Sequence, residues 1–261
     1  MALLNVENIG IRFGGLQALK EVSLSVEKGH ICAVIGPNGE GKTTLFNIIS
    51  GFLTPTEGKV FFKDQEIQGM PAYKLTPMGI SRTFQNIRLL PEMTVLENVR
   101  LGHHDKLKQN FFSAILKTPT FKKEEAQSEE DAMEILRFVG IDHLAGEYPK
   151  NLPYGHQRKL EIARTLATGA ELLLLDEPCA GMNTAEKAAL AVLIQDINQK
   201  LGRTVLLIEH DMRFVMNISR SITVLNQGST IAQGTPEEIQ NDPLVIEAYL
   251  GVRREGRRAH A

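Results

Sequence analysis

The chain has no tryptophan and only two cysteines, Cys32 and Cys179, in 261 residues. Two thiols without a metal-ligand spacing exclude a disulfide framework and a cysteine-built zinc site, and fit a reducing compartment. No run of about 18 apolar residues occurs, so no segment reads as a membrane-spanning helix. No signal peptide opens the sequence, which gives a cytosolic expectation. A dominant charge sign is also missing: the net charge is -2 and the pI near 6.4. That argues against nucleic-acid binding driven by bulk charge. The only dense basic run is Arg253, Arg254, Arg257 and Arg258, which reads as a solvated end, with anionic lipid the alternative. The adjacent His103 and His104 lack spaced partners, and the expectation for them is surface rather than metal ligation. No repeat or low-complexity segment is present.

What the chain does have is "GPNGEGKTT", residues 36–44, a full match to G-x-x-x-x-G-K-[ST]. It follows the apolar run "HICAVI" (30–35) and precedes the helix-like "KTTLFNIISGF". Strand, glycine-rich loop and helix are the context in which consecutive backbone N–H groups wrap phosphates and the helix N-terminus adds its dipole. Gly36, Pro37, Asn38, Gly39, Glu40, Gly41, Lys42, Thr43 and Thr44 are therefore candidate nucleotide-binding residues. Lys42 brings a positive charge to the outer phosphates, and the Thr43 hydroxyl is placed for Mg²⁺. Glu40 is the anomaly, a carboxylate beside an anion site. Its position contributes only backbone, so the side chain is expected to turn away and stay solvated at the rim.

Further apolar runs at 171–178, 204–210 and 221–228 read as buried strands of a mostly parallel sheet. The run Leu172–Leu175 delivers Asp176 and Glu177 at its carboxyl end, an arrangement suited to holding Mg²⁺ through water and to polarising an attacking water. Between Thr94 and about Ala170 no convincing strand appears. Thr94 and Glu97 form a capping-box pair, and Ala132, Ile135, Leu136 and Val139 fall at helical spacing before a stop at Gly140. A helical lobe is thus expected at 88–165.

With these motifs in this order, the chain resembles the ATP-binding subunits of ABC transporters over nearly its whole length. "RTFQ" (82–85) resembles the Q-loop, "NLPYGHQRKLEIAR" (151–164) the signature segment, "LLLLDEP" the second phosphate motif, "AGMN" (180–183) the D-loop and "IEHD" (208–211) the switch region. The resemblance implies ATP and Mg²⁺, with Thr43, Gln85 and Asp176 at the metal. It implies Glu177 as general base, His210 at the γ-phosphate and Phe13 stacked on adenine, although a lone Phe is more often core. Leu152, Tyr154 and Gly155 would face the ATP of a second subunit. Two departures stand out: Leu152 is followed by Pro153, Tyr154, Gly155 and His156 instead of Ser-Gly-Gly-Gln, and Asn183 replaces the common Asp of the D-loop.

The Tyr-Gly signature, the Asn D-loop, the stretch "TFQNIRLLPEMTVLENV" and the end "GTPEEIQNDPLVIEAYLG" narrow the resemblance to importers of branched-chain amino acids. The run 107–121 resembles that group's insertion, and its aromatics could equally be lobe core. The implied fold is α/β: a phosphate-loop ATPase with a mostly parallel core sheet, an N-terminal antiparallel β part and an inserted α-helical lobe. It would form one ATP-binding domain over 1–261, with core at 1–87 and 166–235, lobe at 88–165, and a C-terminal helix and basic tail at 236–261. The implied partners are a second ATP-binding subunit (the same chain or a paralogue), membrane permeases and, indirectly, a substrate-binding protein, at the cytoplasmic face of the membrane, with no nucleic acid. Urea, amide or lipid transport, and less so a non-transport ATPase, are the alternatives.

Overall fold

The structure, a computed structural model, describes residues 2–106 and 119–250. The proposed insertion at 107–121 lies up to residue 118 outside the described residues, and the basic tail lies wholly outside them. In chain order the strands are β1 (Ala2–Phe13), β2 (Leu16–Glu27), β3 (Ile31–Ile35), β4 (Glu57–Phe62), β5 (Gln65–Glu66), β6 (Ile80–Arg82), β7 (Leu172–Asp176), β8 (Thr204–Ile208), β9 (Ser221–Asn226) and β10 (Ser229–Gly234). The helices are α1 (Lys42–Ile49), α2 (Ala72–Met78), α3 (Val95–Arg100), α4 (Pro119–Val139), α5 (Tyr154–Ala167), α6 (Thr184–Leu201), α7 (Met212–Ile218), α8 (Pro236–Asn241) and α9 (Pro243–Leu250). The chain divides into two compact units, Met1–Gly69 with Leu206–Ala261, and Met70–Val205.

In the first unit, β2, β1, β4 and β5 form an antiparallel sheet in that order. A second set runs β10, β9, β3, β8. There β3 and β9 pair in parallel, from Cys32 opposite Ser221 to Ile35 opposite Val224, and β10 returns antiparallel to β9. Every residue of β3 is buried. A continuous apolar run is what a strand covered on both faces requires. Both α7 and α8 start on side-chain caps. Asp211 Oδ1 accepts from the Phe214 N–H at 3.2 Å, and Thr235 with Glu238 forms a capping box.

In the second unit, β6 and β7 pair in parallel, with Ile80 opposite Leu172 and Arg82 opposite Leu174. The unit contains the helical stretch expected from the sequence, and among its described residues 94–170 hold no strand. The Thr94–Glu97 capping box forms as read, with the Glu97 N–H donating to Thr94 Oγ1 at 3.2 Å and the Thr94 N–H to Glu97 Oε2 at 2.7 Å. Ala132, Leu136 and Val139 of α4 are buried, Ile135 is half-buried, and the helix ends at Gly140 with φ +72°. The three-residue strand β6 is too short to show a periodicity in sequence and went unread. His103 also departs from its expectation: it is 7% exposed and therefore buried, in the short 3₁₀ turn after α3. Cys32 and Cys179 are both buried and form no disulfide. Among the described residues no helix is long and apolar enough to cross a membrane.

Candidate nucleotide site

The loop from β3 to α1 is shaped by glycine where nothing else fits. Gly36 has φ +150°, and a Cβ there would lie 2.1 Å from the Leu225 carbonyl oxygen. Gly41 caps α1 at φ +89°, and its Cβ would meet Leu19 Cδ2 at 2.5 Å and the Ala18 carbonyl at 2.6 Å. Gly39 shares that φ, but a Cβ there would meet nothing within 4 Å, so its requirement for glycine is conformational rather than steric. Lys42, the first residue of α1, is buried, and its Nζ donates to the Gly36 and Pro37 carbonyls, both at 2.7 Å. The ammonium is therefore held inside the loop. Thr43 is exposed and Thr44 half-buried.

Glu40 is not left in solvent. It is half-buried, and its carboxylate accepts from the N–H of Gln227, a residue with φ +49° in the turn between β9 and β10. The expectation of a solvated rim position is corrected accordingly: the side chain ties the phosphate loop to a neighbouring hairpin. Satisfying the backbone donor of that tight turn is the physical reason for a carboxylate at this position.

Phe13 ends β1 opposite Leu16 and is 47% exposed, so it is not a core residue. His210 is likewise exposed, just past β8. The buried Glu209 beside it accepts from the His210 N–H at 3.1 Å and from the Asp211 N–H at 3.5 Å. Glu209 fixes the turn that presents His210, and Asp211 then caps α7. The carboxylate of Glu209 stands 3.9 Å from His210 Nδ1, an ion pair only when the ring is protonated.

In the second unit the end of β7 presents two carboxylates in different settings. Asp176 is buried, and its Oδ2 accepts from Arg82 Nη2 at 2.7 Å. Its own N–H donates to Thr83 Oγ1 at 3.2 Å, while the other oxygen, Oδ1, is buried with no hydrogen-bond partner. A buried carboxylate oxygen left in that state is costly unless something polar meets it. Glu177 is half-buried with φ +44°, a left-handed conformation that is uncommon for a residue with a side chain. Its Oε2 accepts from Gln85 Nε2 at 2.9 Å.

The segment that carries Gln85 is held from α5. Arg158, with no exposed surface, donates from Nη1 to the Phe84 carbonyl at 3.0 Å and to Glu161 Oε2 at 2.7 Å. From Nη2 it donates to the Gln85 carbonyl at 3.2 Å and the Tyr154 hydroxyl at 3.1 Å. Glu161 Oε1 in turn accepts from the Phe84 N–H at 3.1 Å. Burial pushes the Glu161 carboxyl up from its ordinary value, against the opposing pull of the Arg158 charge.

Pro153 is the N-cap of α5, at φ -54°. Its missing N–H costs the helix nothing, and its carbonyl accepts from the His156 and Gln157 N–H groups at 2.9 and 3.1 Å. Leu152 is buried, and Tyr154 is partly exposed with its ring over Gly181, whose Cβ would lie 3.4 Å from it. A Cβ on Gly155 would point at Glu186 Oε1, 3.1 Å away. A side chain at Gly155 is thus opposed first by α6 of the same chain, a constraint the sequence did not show. A cavity of about 350 Å³ opens beside this turn, lined among others by Gly155, His156, Lys159 and Glu186. Asn183 is the N-cap of α6, accepting from the Glu186 N–H at 3.0 Å, so the departure from Asp keeps an equivalent cap.

Sequence reading missed Arg82, Arg158, Glu161 and Glu209. Arg158 and Glu161 stand i,i+3 among Leu160, Ile162 and Ala163, and a charged pair inside an apolar stripe was the available signal. Among the described residues no group of three or more His, Cys, Asp or Glu is placed to hold a metal.

A glycine-built phosphate loop running into a helix, with Asp-Glu at the end of a buried strand, defines a phosphate-loop nucleotide-binding cassette. The chain belongs to the ABC transporter family, which matches residues 19–180. A second family, the branched-chain amino acid ATP-binding cassette transporter, matches residues 229–255. The chain is 47% identical over 249 residues, 95% of its length and 98% of the relative's, to the high-affinity branched-chain amino acid transport ATP-binding protein LivG of Escherichia coli K12. It is 46% identical over 249 residues, with 95% and 98% coverage, to the corresponding protein BraF of Pseudomonas aeruginosa. The crystal structure of the ADP conformation of MJ1267, an ATP-binding cassette of an ABC transporter, superposes with TM-score 0.84 at 36% identity, covering 96% of this chain and 99% of that one. A dimeric post-hydrolysis structure of the cassette MJ0796 with ADP and Pi gives TM-score 0.75 at 26% identity, covering 89% and 98%. The resemblance read from the motifs therefore holds, and the fold is that of an ATP-binding cassette. ATP hydrolysis is the activity of the family.

Proposed function

We propose that this chain is the ATP-hydrolysing subunit of an importer of branched-chain amino acids, peripheral at the cytoplasmic face of the membrane. It would act with a second ATP-binding subunit, separate permeases and a substrate-binding protein. The observation that carries the ATPase reading is the phosphate loop, with the Lys42 ammonium held inside it by the Gly36 and Pro37 carbonyls. The cargo rests on the match at residues 229–255 and on the names of the relatives.

In this reading the loop N–H groups and Lys42 bind the phosphates, and Phe13 stacks on the base. Thr43, Asp176 and Gln85 are the residues that would hold Mg²⁺, and Asp176 Oδ1, buried without a hydrogen-bond partner, has the chemistry to meet the ion or its water. Bound Mg²⁺ supplies charge neutralisation at the phosphates. Glu177 takes a proton from the attacking water, oriented by Gln85 and His210. The first turn of α5, with Tyr154 and Gly155 above the buried Leu152, offers its N–H groups to the ATP bound by the other subunit. Positioning and electrostatics do most of the work in such a reaction.

The test of cargo is uptake of labelled leucine, isoleucine and valine into cells lacking this chain and complemented with it or with Lys42→Ala. Restoration by the parent and not by the variant supports the reading. Uptake that does not depend on the chain, alongside intact ATPase activity, moves the cargo elsewhere.

A further inference from the structure

The geometry points to Arg158 and Glu161 as positioning residues that hold the main chain of Phe84 and Gln85 so that the Gln85 amide meets Glu177. The inference rests on the reading of Glu177 as general base and adds to it two residues that touch no nucleotide in that reading. Their arrangement is specific to main-chain atoms. Between them the pair satisfies the Phe84 N–H at 3.1 Å, the Phe84 carbonyl at 3.0 Å and the Gln85 carbonyl at 3.2 Å, while bonded to each other at 2.7 Å.

A buried ion pair is in general no better for stability than a well-packed apolar pair of similar volume. What it offers here is direction. The planar guanidinium reaches four acceptors at once from a rigid fork, which an ammonium cannot do. The last of those acceptors is the Tyr154 hydroxyl, in the first turn of α5. One hydrogen-bonded chain therefore runs from that turn, through Arg158 and the Gln85 backbone, to the Glu177 carboxylate at 2.9 Å. A group that must orient a water is sensitive to displacement, and about 1 Å of misplacement can cost a hundredfold in rate.

The test is a double-mutant cycle on the full-length chain, by steady-state phosphate release, with ATP affinity by calorimetry and thermal midpoint in parallel. Arg158→Lys is expected to lower kcat by about tenfold or more while KM and ATP affinity stay within about twofold. In the Gln85→Ala background the same change should have little further effect, because the residue it acts through is gone. Were Arg158→Lys to fail to fold, Glu161→Gln enters the same cycle, since it keeps shape and an oxygen for the Phe84 N–H. Unchanged kcat, or effects that multiply in the double variant, would overturn the positioning role, since a merely structural residue lowers both backgrounds alike. A Glu177→Gln control separates the layers. If it is inactive and the cycle shows no coupling, only this inference falls; if it turns over normally, the base assignment falls and the inference with it.

Discussion

Gln85 and Glu177, ninety-two residues apart in sequence, are joined by a hydrogen bond of 2.9 Å from the Gln85 amide to the Glu177 carboxylate. An amide donor on one oxygen leaves the other free for a water and fixes the direction in which that lone pair points. Gln85→Ala removes the donor without touching the phosphate loop. It is expected to lower kcat by about tenfold, less than the roughly hundredfold or more that losing the base itself costs, with ATP affinity within about twofold. Steady-state phosphate release with calorimetric titration measures both. An equal loss in affinity and kcat would place Gln85 on the nucleotide rather than on the base.

Glu40 gives a prediction of the opposite kind. Its carboxylate is committed to the Gln227 N–H, so Glu40→Ala is expected to destabilise the fold by about 1 kcal/mol while strengthening ATP binding only slightly. Chemical denaturation and calorimetry check the two parts. A gain in affinity of about tenfold or more would mean that the carboxylate lies against the phosphates.

Phe13 is exposed at the end of β1, which separates its two readings. Phe13→Ala should weaken ATP binding by about 0.5–1.5 kcal/mol beyond lost area, with the thermal midpoint nearly unchanged. Because the chain has no tryptophan, the titration needs a labelled nucleotide or calorimetry. Unchanged affinity would remove Phe13 from the base-binding surface.

A pH dependence follows from His156, the third residue of α5. Burial chiefly, then the Lys159 charge and His143, hold its imidazole below the ordinary histidine value, with Glu186 pulling weakly the other way. The folded state therefore resists protonating it. Its contribution to stability is present above the unfolded value of about 6.5 and is lost as pH falls through the lower folded value. Thermal midpoints between pH 8 and pH 5 should fall less for His156→Gln than for the parent. Parallel curves for the two proteins would count against the imidazole being held neutral.

The phosphate loop, the strand that ends in Asp176 and Glu177, and the α3 cap were legible in the sequence because each is a local pattern: glycines at fixed offsets, a continuous apolar run, a T-x-x-E. The bond of Glu40 to the β9–β10 turn was not, since its partner Gln227 is 187 residues away and is a backbone atom. The Arg158–Glu161 clamp stayed hidden for a related reason. Its place among Leu160, Ile162 and Ala163 hinted at burial, but what the two side chains hold, the main chain of residues 84–85, shows only in the packing. The constraint on Gly155 comes from Glu186 of another helix and has no sequence signature at all.

The most direct test of the central claim is ATP turnover and ATP-dependent association by Glu177→Gln. The substitution keeps the side-chain shape and an oxygen to accept from Gln85, but removes the base. ATP affinity should be retained, phosphate release should fall by about a hundredfold to ten-thousandfold, and a dimer should accumulate with ATP in light scattering. Turnover at the parent rate would contradict the account, because hydrolysis would then proceed without the carboxylate at the end of β7.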